Sequence, residues 1–169
     1  MQVYHEGTED ILQEAVDYMT RMEALLSTNL ETSDVYQINQ MAGIEPVKVQ
    51  AETLEIIQRA IKIAEESDGL FDISIGALTN LWKIGDDDAR LPADDEIQEA
   101  IKHIDYKKIR VDEENMTVYL EEKGMALELG GISKGYIGSG VVDIFKENKI
   151  TTAIVNLGGN VVVMGTSPN

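Results

Sequence analysis

Two short apolar runs in this chain each end in a pair of glycines. Ala126-Leu127-Glu128-Leu129 runs into Gly130-Gly131, and Val155-Asn156-Leu157 runs into Gly158-Gly159. A glycine pair after a strand-like run permits positive φ and lets another molecule come close to the peptide N–H groups. The first pair leads into Ile132-Ser133-Lys134-Gly135-Tyr136 and a helical pattern, so the turn is expected to open a helix whose first N–H groups lack intrahelical partners. Such an end attracts anions. Lys134 falls in the expected first turn, where a cation opposes the macrodipole by roughly 0.3–1 kcal/mol. An anion lying between Lys134 and the backbone, such as a nucleotide pyrophosphate, would explain it. Packing alone is the competing reading, because neither turn has the GxGxxG or GxxxxGK[ST] spacing.

Before those runs the pattern is helical. Ile11, Leu12, Ala15, Val16, Met19, Met22, Leu25 and Leu26 recur at helical spacing behind Thr8, a suitable N-cap. The methionines in that stripe read as core filler. Ser33-Asp34 can cap a short helix through Gln40, and Leu54, Ile57, Ala60, Ile61 and Ala64 predict another helix, ended by Asp68-Gly69. Gly85 to Asp95, with Asp86-Asp87-Asp88 and Pro92, reads as a solvated loop whose acidic triplet lacks the spacing of an EF-hand. A helix is expected around Glu96 to Lys102.

The period then changes. Lys108–Val111, Thr117–Leu120 and Met125–Leu129 read as short strands, the first two joined by an acidic turn at Glu113-Glu114-Asn115. Ser133 to Asn148 reads as a helix, in which Gly138 and Gly140 are expected to admit neighbouring backbone. Thr152–Leu157 and Asn160–Met164 predict a hairpin through the second glycine pair. Helices first and strands later imply an α+β fold with a largely antiparallel sheet.

Composition excludes several function classes. A formal charge of −17 argues against a nucleic-acid or anionic-membrane partner. It would also repel an anionic ligand at long range, so local positive features matter more. The absence of cysteine removes disulfides, thiolate metal sites and cysteine nucleophiles. The apolar runs are too short to span a membrane.

A set of motifs in order carries a resemblance over nearly the whole chain. Leu26-Ser27-Thr28, Ser33-Asp34-Val35 with Ile38-Asn39, and Ser67-Asp68-Gly69-Leu70-Phe71-Asp72-Ile73-Ser74-Ile75-Gly76 with Leu81-Trp82 resemble the ApbE-type flavin transferases. Glu128 to Tyr136 and Val155 to Gly159 complete the series. The resemblance implies a T-fold-like domain and Mg²⁺-dependent transfer of FMN from FAD to a threonine of an acceptor protein. It also implies, in many relatives, an exported lipoprotein outside the cytoplasmic membrane. Family members are about twice as long, with an Asp-x-x-Thr metal motif in the later half and a Met-Gly-Thr segment before the first helix. The 169-residue chain is therefore expected to be the N-terminal half of such a domain, inactive alone and lacking most metal ligands.

Carried over residue by residue, Leu70, Phe71 and Asp72 match the flavin-contacting turn. Glu128 and Lys134 match nucleotide contacts, and Gly131 a carbonyl ligand of Mg²⁺. For Phe71 and Asp72 the competing reading is structural, as a core residue and a cap. Asn29 stands where relatives often carry an aromatic against the flavin, Gly138-Ser139 replaces a small residue and Asp, and Asn160 replaces Asp. Hydrolysis of FAD, or flavin binding without turnover, are the alternative functions. Neither His5 nor His103 falls in a motif, so no catalytic base is assigned; His103 is expected on an exposed helix end. The sequence leaves the oligomeric state open.

Overall fold

Side chains near the helix ends fix where the strongest helical patterns begin and stop. In the computed structural model, which describes residues 1–3, 8–84 and 87–166, α1 spans Glu9–Leu26, α2 Asp34–Gln40 and α3 Ala51–Glu66. The Thr8 carbonyl takes the Leu12 N–H at the start of α1. Ser33 caps α2, its Oγ accepting the Tyr36 N–H at 3.0 Å. The end of α3 is a Schellman motif in which Gly69 N–H reaches the Ala64 carbonyl and Asp68 N–H that of Glu65. Asp68, with φ +53°, holds the left-handed position more often given to glycine.

The chain divides into two compact units, one made of Met1–Ala24 with Ile132–Asn169 and the other of Leu25–Gly131. In the first unit, β1 (Gln2–Val3), β5 (Ala153–Leu157) and β6 (Asn160–Met164) form an antiparallel sheet in the order β1-β5-β6. Strand alternation turns Ala153 and Val155 inward, where they join Ala15 of α1 and Val141 and Phe145 of α6 (Gly130–Glu147) in one apolar cluster. The second unit carries the sheet β2-β4-β3, from Val47–Lys48, Thr117–Leu120 and Ile109–Asp112, again antiparallel throughout. The expected sheet is therefore two three-stranded sheets, one in each unit.

Other expectations change. Met125–Leu129 joins neither sheet; its sole bridge among the described residues is between Ala126 and Ile75. The run is apolar because Met125, Ala126, Leu127 and Leu129 are buried, and burial of both faces looks the same in sequence whether the partner is a strand or a loop. After α4 (Gly76–Thr79) and a 3₁₀ turn at Asn80–Trp82, α5 runs Asp94–Ile101. Asp94 and Asp95 thus belong to a helix rather than the loop, because the Glu96 carboxylate folds back onto the Ala93 N–H at 2.9 Å. Pro92 is buried, and Gly85 and Asp86 lie outside the described residues. Gly138 and Gly140 admit side chains instead of backbone, those of Val162 and Tyr18.

Candidate functional site

Helical spacing puts Tyr36, Asn39 and Gln40 on one face of α2 while Val35 and Ile38 are buried. Before α2, Ser27 Oγ accepts the N–H groups of Asn29 and Leu30 at 3.1 and 3.2 Å, a local turn that holds Thr28 and Asn29. These residues, with Thr79, Asn80, Lys83, Ile84 and Glu128, line a cavity of about 550 Å³ in the second unit. Its size is that of a small-molecule site.

Among the described residues the lining is mostly amide and hydroxyl, with one cation and one carboxylate, Lys83 and Glu128. Lys83 has φ +49° and donates to Asp88. That hydrogen bond, aided by the Coulombic pull of the ammonium, holds the Asp88 carboxyl below its usual range against the opposing effect of desolvation.

The Leu70-Phe71-Asp72 turn is built from its own serines. Phe71 N–H donates to Ser67 Oγ at 3.1 Å. Asp72 Oδ1 accepts from Ser74 N–H at 2.8 Å and Ser74 Oγ at 2.6 Å, while Oδ2 takes the Tyr106 N–H at 2.9 Å. Both oxygens of Asp72 are thus engaged in holding the turn. Phe71 packs by Gly131, where an added Cβ would meet Phe71 Cε2 at 3.2 Å. Leu70 is 93% exposed. None of the three lines the cavity, whereas Asn29 and Glu128 do.

The first glycine pair departs most from expectation. Helix α6 begins at Gly130, so both glycines are helical and neither has positive φ. Lys134 consequently lies beyond the first turn, and the expected opposition to the helix dipole falls away. Glu128 Oε1 accepts the Gly130 N–H at 2.7 Å, so a side chain of the chain itself occupies a donor expected to face an anion. At the second pair φ is +57° and +96°, as a two-residue hairpin turn requires. There Asn156 Oδ1 accepts the Gly159 N–H at 2.9 Å. Lys134 Nζ lies by this turn, 3.8 Å from where a Cβ on Gly158 would be.

No group of three or more His, Cys, Asp or Glu side chains converges among the described residues. Ser139 Oγ donates to the Gly135 carbonyl at 3.0 Å, and Asn160 Nδ2 lies near Gly135. His103 is half-buried beneath Gly124 instead of exposed, and its Nδ1 has no hydrogen-bond partner among the described residues. His5 lies outside the described residues. No helix among those described is long and apolar enough to cross a membrane.

Tyr36, Gln40, Thr79, Asn80 and Lys83 were not singled out by the sequence. The spacing of Tyr36 and Gln40 with Asn39 behind the Ser33 cap could have placed them together. Nothing local marks Lys83, whose position depends on a left-handed residue after a 3₁₀ turn.

The ApbE family model matches residues 1–169. The chain is 33% identical over 159 residues to an FAD:protein FMN transferase of Treponema pallidum, covering 91% of this chain and 44% of that one. It is 34% identical over 157 residues to one of Klebsiella pneumoniae, covering 93% and 50%. The crystal structure of the ApbE protein of Thermotoga maritima superposes with a TM-score of 0.89 at 33% identity, over 98% of this chain and 54% of that one. The flavin transferase ApbE of Vibrio cholerae, at 22% identity and a TM-score of 0.87, shares the fold. The chain spans about half the length of these relatives. With the model matched end to end and the fold matched over nearly all its residues, this chain belongs to the ApbE family.

Proposed function

We propose that the cavity of the second unit seats FAD, in a protein that transfers the FMN half to a threonine of an acceptor protein and releases AMP. The observation that carries this reading is that Asn29 and Glu128, far apart in sequence, meet in one polar cavity of about 550 Å³. Amides and hydroxyls suit the hydrogen-bonding edges of a flavin or an adenine. Lys83, on turning from its Asp88 partner, would supply a cation for phosphate oxygens in a chain whose charge of −17 otherwise repels them. Leu70, Phe71 and Asp72 form the flavin-contacting turn by resemblance. Asp72 would act there through the shape of the turn, since its carboxylate holds Ser74 and Tyr106. Lys134 remains a proposed phosphate contact, and Gly131 a proposed Mg²⁺ ligand that would need further oxygens, such as those of substrate phosphates.

Attack of a threonine hydroxyl on the FMN phosphorus needs alignment and charge neutralisation more than covalent help. The test is incubation with FAD, Mg²⁺ and an acceptor bearing the threonine, together with FAD titration followed by flavin fluorescence. Saturable binding and a covalent FMN adduct support the transferase reading. Free FMN with AMP would convert it to hydrolysis, and absence of binding would remove FAD from the cavity. Binding without turnover would leave only the seating of the nucleotide.

A further inference from the structure

Segment 125–129 presents an unusual bonding problem. It is buried at every residue but the half-buried Glu128 and carries a β-bridge at Ala126, yet it lies in no sheet. In an extended chain, successive residues direct their backbone groups to opposite sides. Here Glu128 N–H goes one way, to the Ile73 carbonyl at 2.8 Å. Leu127 goes the other way, and what meets it is a side chain: its N–H donates to Asn39 Oδ1 at 2.7 Å, and its carbonyl accepts from Asn39 Nδ2 at 3.1 Å. One carboxamide thus reproduces the two bonds that a neighbouring strand would make. The residue after this clamp is Glu128, the single carboxylate of the cavity among the described residues, and Asn39 lines the same cavity.

The helix that carries Asn39 is fixed at its other end as well. Ser33 Oγ donates to the Ser27 carbonyl, and Ser27 holds the Thr28-Asn29 wall of the cavity. Asp34 Oδ2 accepts from Gln50 N–H at 2.8 Å and Thr53 Oγ at 2.7 Å, joining α2 to the start of α3. A seven-residue helix is too short to hold its orientation by itself. These bonds make it a rigid mount, and Asn39 is the contact through which it sets Glu128.

We infer that Asn39 is a positioning residue: by clamping Leu127 it fixes the backbone from which the Glu128 carboxylate, bonded to the Gly130 N–H, reaches the cavity wall, an inference that rests on the flavin reading of that cavity. Asn39→Asp keeps the shape and the acceptor but loses the donor and sets a carboxylate against the Leu127 carbonyl. Asn39→Ala removes both bonds without adding charge. FAD titrations are run on wild type, each Asn39 variant, Glu128→Ala and the double variants. Each single change is expected to weaken FAD about tenfold, and each double variant by about the same tenfold, because Asn39 acts through Glu128. Additive losses, near a hundredfold, would make Asn39 an independent contact and overturn the inference, as would unchanged affinity in the single Asn39 variants.

Amide hydrogen exchange supplies a readout independent of flavin. Leu127 and Glu128 should lose protection in Asn39→Ala, and less in Asn39→Asp, which keeps the acceptor of the Leu127 N–H, while the β4 amides keep theirs. Unaltered protection at Leu127 in Asn39→Ala, or loss throughout the unit including β4, would overturn the inference. If the wild type takes up no FAD, the flavin reading fails by itself, and the exchange pattern still decides whether Asn39 sets this segment.

Discussion

The two glycine pairs stand in similar sequence contexts, each after an apolar run, and the backbone treats them differently. At Gly158-Gly159 both φ values are positive, and space is not the constraint: an added Cβ on Gly159 would meet nothing within 4 Å. At Gly130-Gly131 the backbone is helical, and space is the constraint: an added Cβ would lie 2.8 Å from Glu128 Oε1 at Gly130 and 3.2 Å from Phe71 Cε2 at Gly131. One pair is glycine for its dihedrals and the other for its missing side chain. Both also have a glycine N–H taken by a preceding side chain, Asn156 in one case and Glu128 in the other.

If that contrast is right, substitutions should separate the pairs by mechanism. The largest effect is expected at Gly159, where φ +96° lies outside the range comfortable for an L side chain; Gly159→Ala should cost about 2 kcal/mol. At Gly158, with φ +57°, Gly158→Ala should cost about 1 kcal/mol and Gly158→Asn distinctly less, because Asn tolerates the left-handed region. Urea unfolding of the three variants gives the ranking. Equal losses for Asn and Ala at position 158 would mean that the Lys134 contact, and not the dihedral, decides.

A smaller effect should follow loss of the side-chain bond that closes the hairpin. Asn156 is exposed, so Asn156→Ala should lower stability by about 0.5 kcal/mol, the net value of a solvated hydrogen bond. Asn156→Asp retains the acceptor and should recover most of it. A loss as large as that of Gly159→Ala would place the turn's stability in the side chain.

This comparison also explains what could be read from the sequence. The hairpin was legible because a two-residue glycine turn between alternating strands has few solutions. The caps at Ser33 and Asp68-Gly69 were legible because local chemistry sets them. The start of α6 was not, because helical glycines are recognised only by what crowds them, and Phe71 reaches that point through the fold. Asn39 was visible within a motif, but its partner lies 88 positions away, and a side chain standing in for a strand leaves no periodic signal. The cavity was half legible. Asn29 and Glu128 line it, while Leu70, Phe71 and Asp72 do not: the Phe71 N–H bonds to Ser67, and the Asp72 carboxylate to Ser74 and Tyr106.

At Gly131 the helical backbone favours alanine by up to about 1 kcal/mol, and the approach of Phe71 opposes it. Phe71 is half-buried on a loop and can give way by a few tenths of an ångström, so Gly131→Ala should stay within about 0.5 kcal/mol of wild type. The displaced Phe71 is the readout of interest, and FAD affinity should fall while the unfolding midpoint holds. A loss of stability near that of Gly159→Ala would mean that this pair, too, is held by backbone constraint, and the contrast would break.

The smallest stability effect is expected at Lys134. Were it in the first turn of α6, its removal would relieve an unfavourable contact with the helix dipole, but α6 starts at Gly130 and places it one turn further in, where that interaction has largely decayed. Its ammonium instead lies by the Gly158 turn and is exposed, so Lys134→Ala should leave unfolding in urea unchanged to within about 0.3 kcal/mol. A cation lying beside a glycine turn in a chain of charge −17 is well placed for an anion. FAD, if it uses this lysine, should raise the stability of the wild type more than that of the variant, since ligand stabilisation follows affinity for the folded state. Equal stabilisation of the two proteins by FAD would leave Lys134 a solvated surface residue and the Gly158-Gly159 turn a purely structural one.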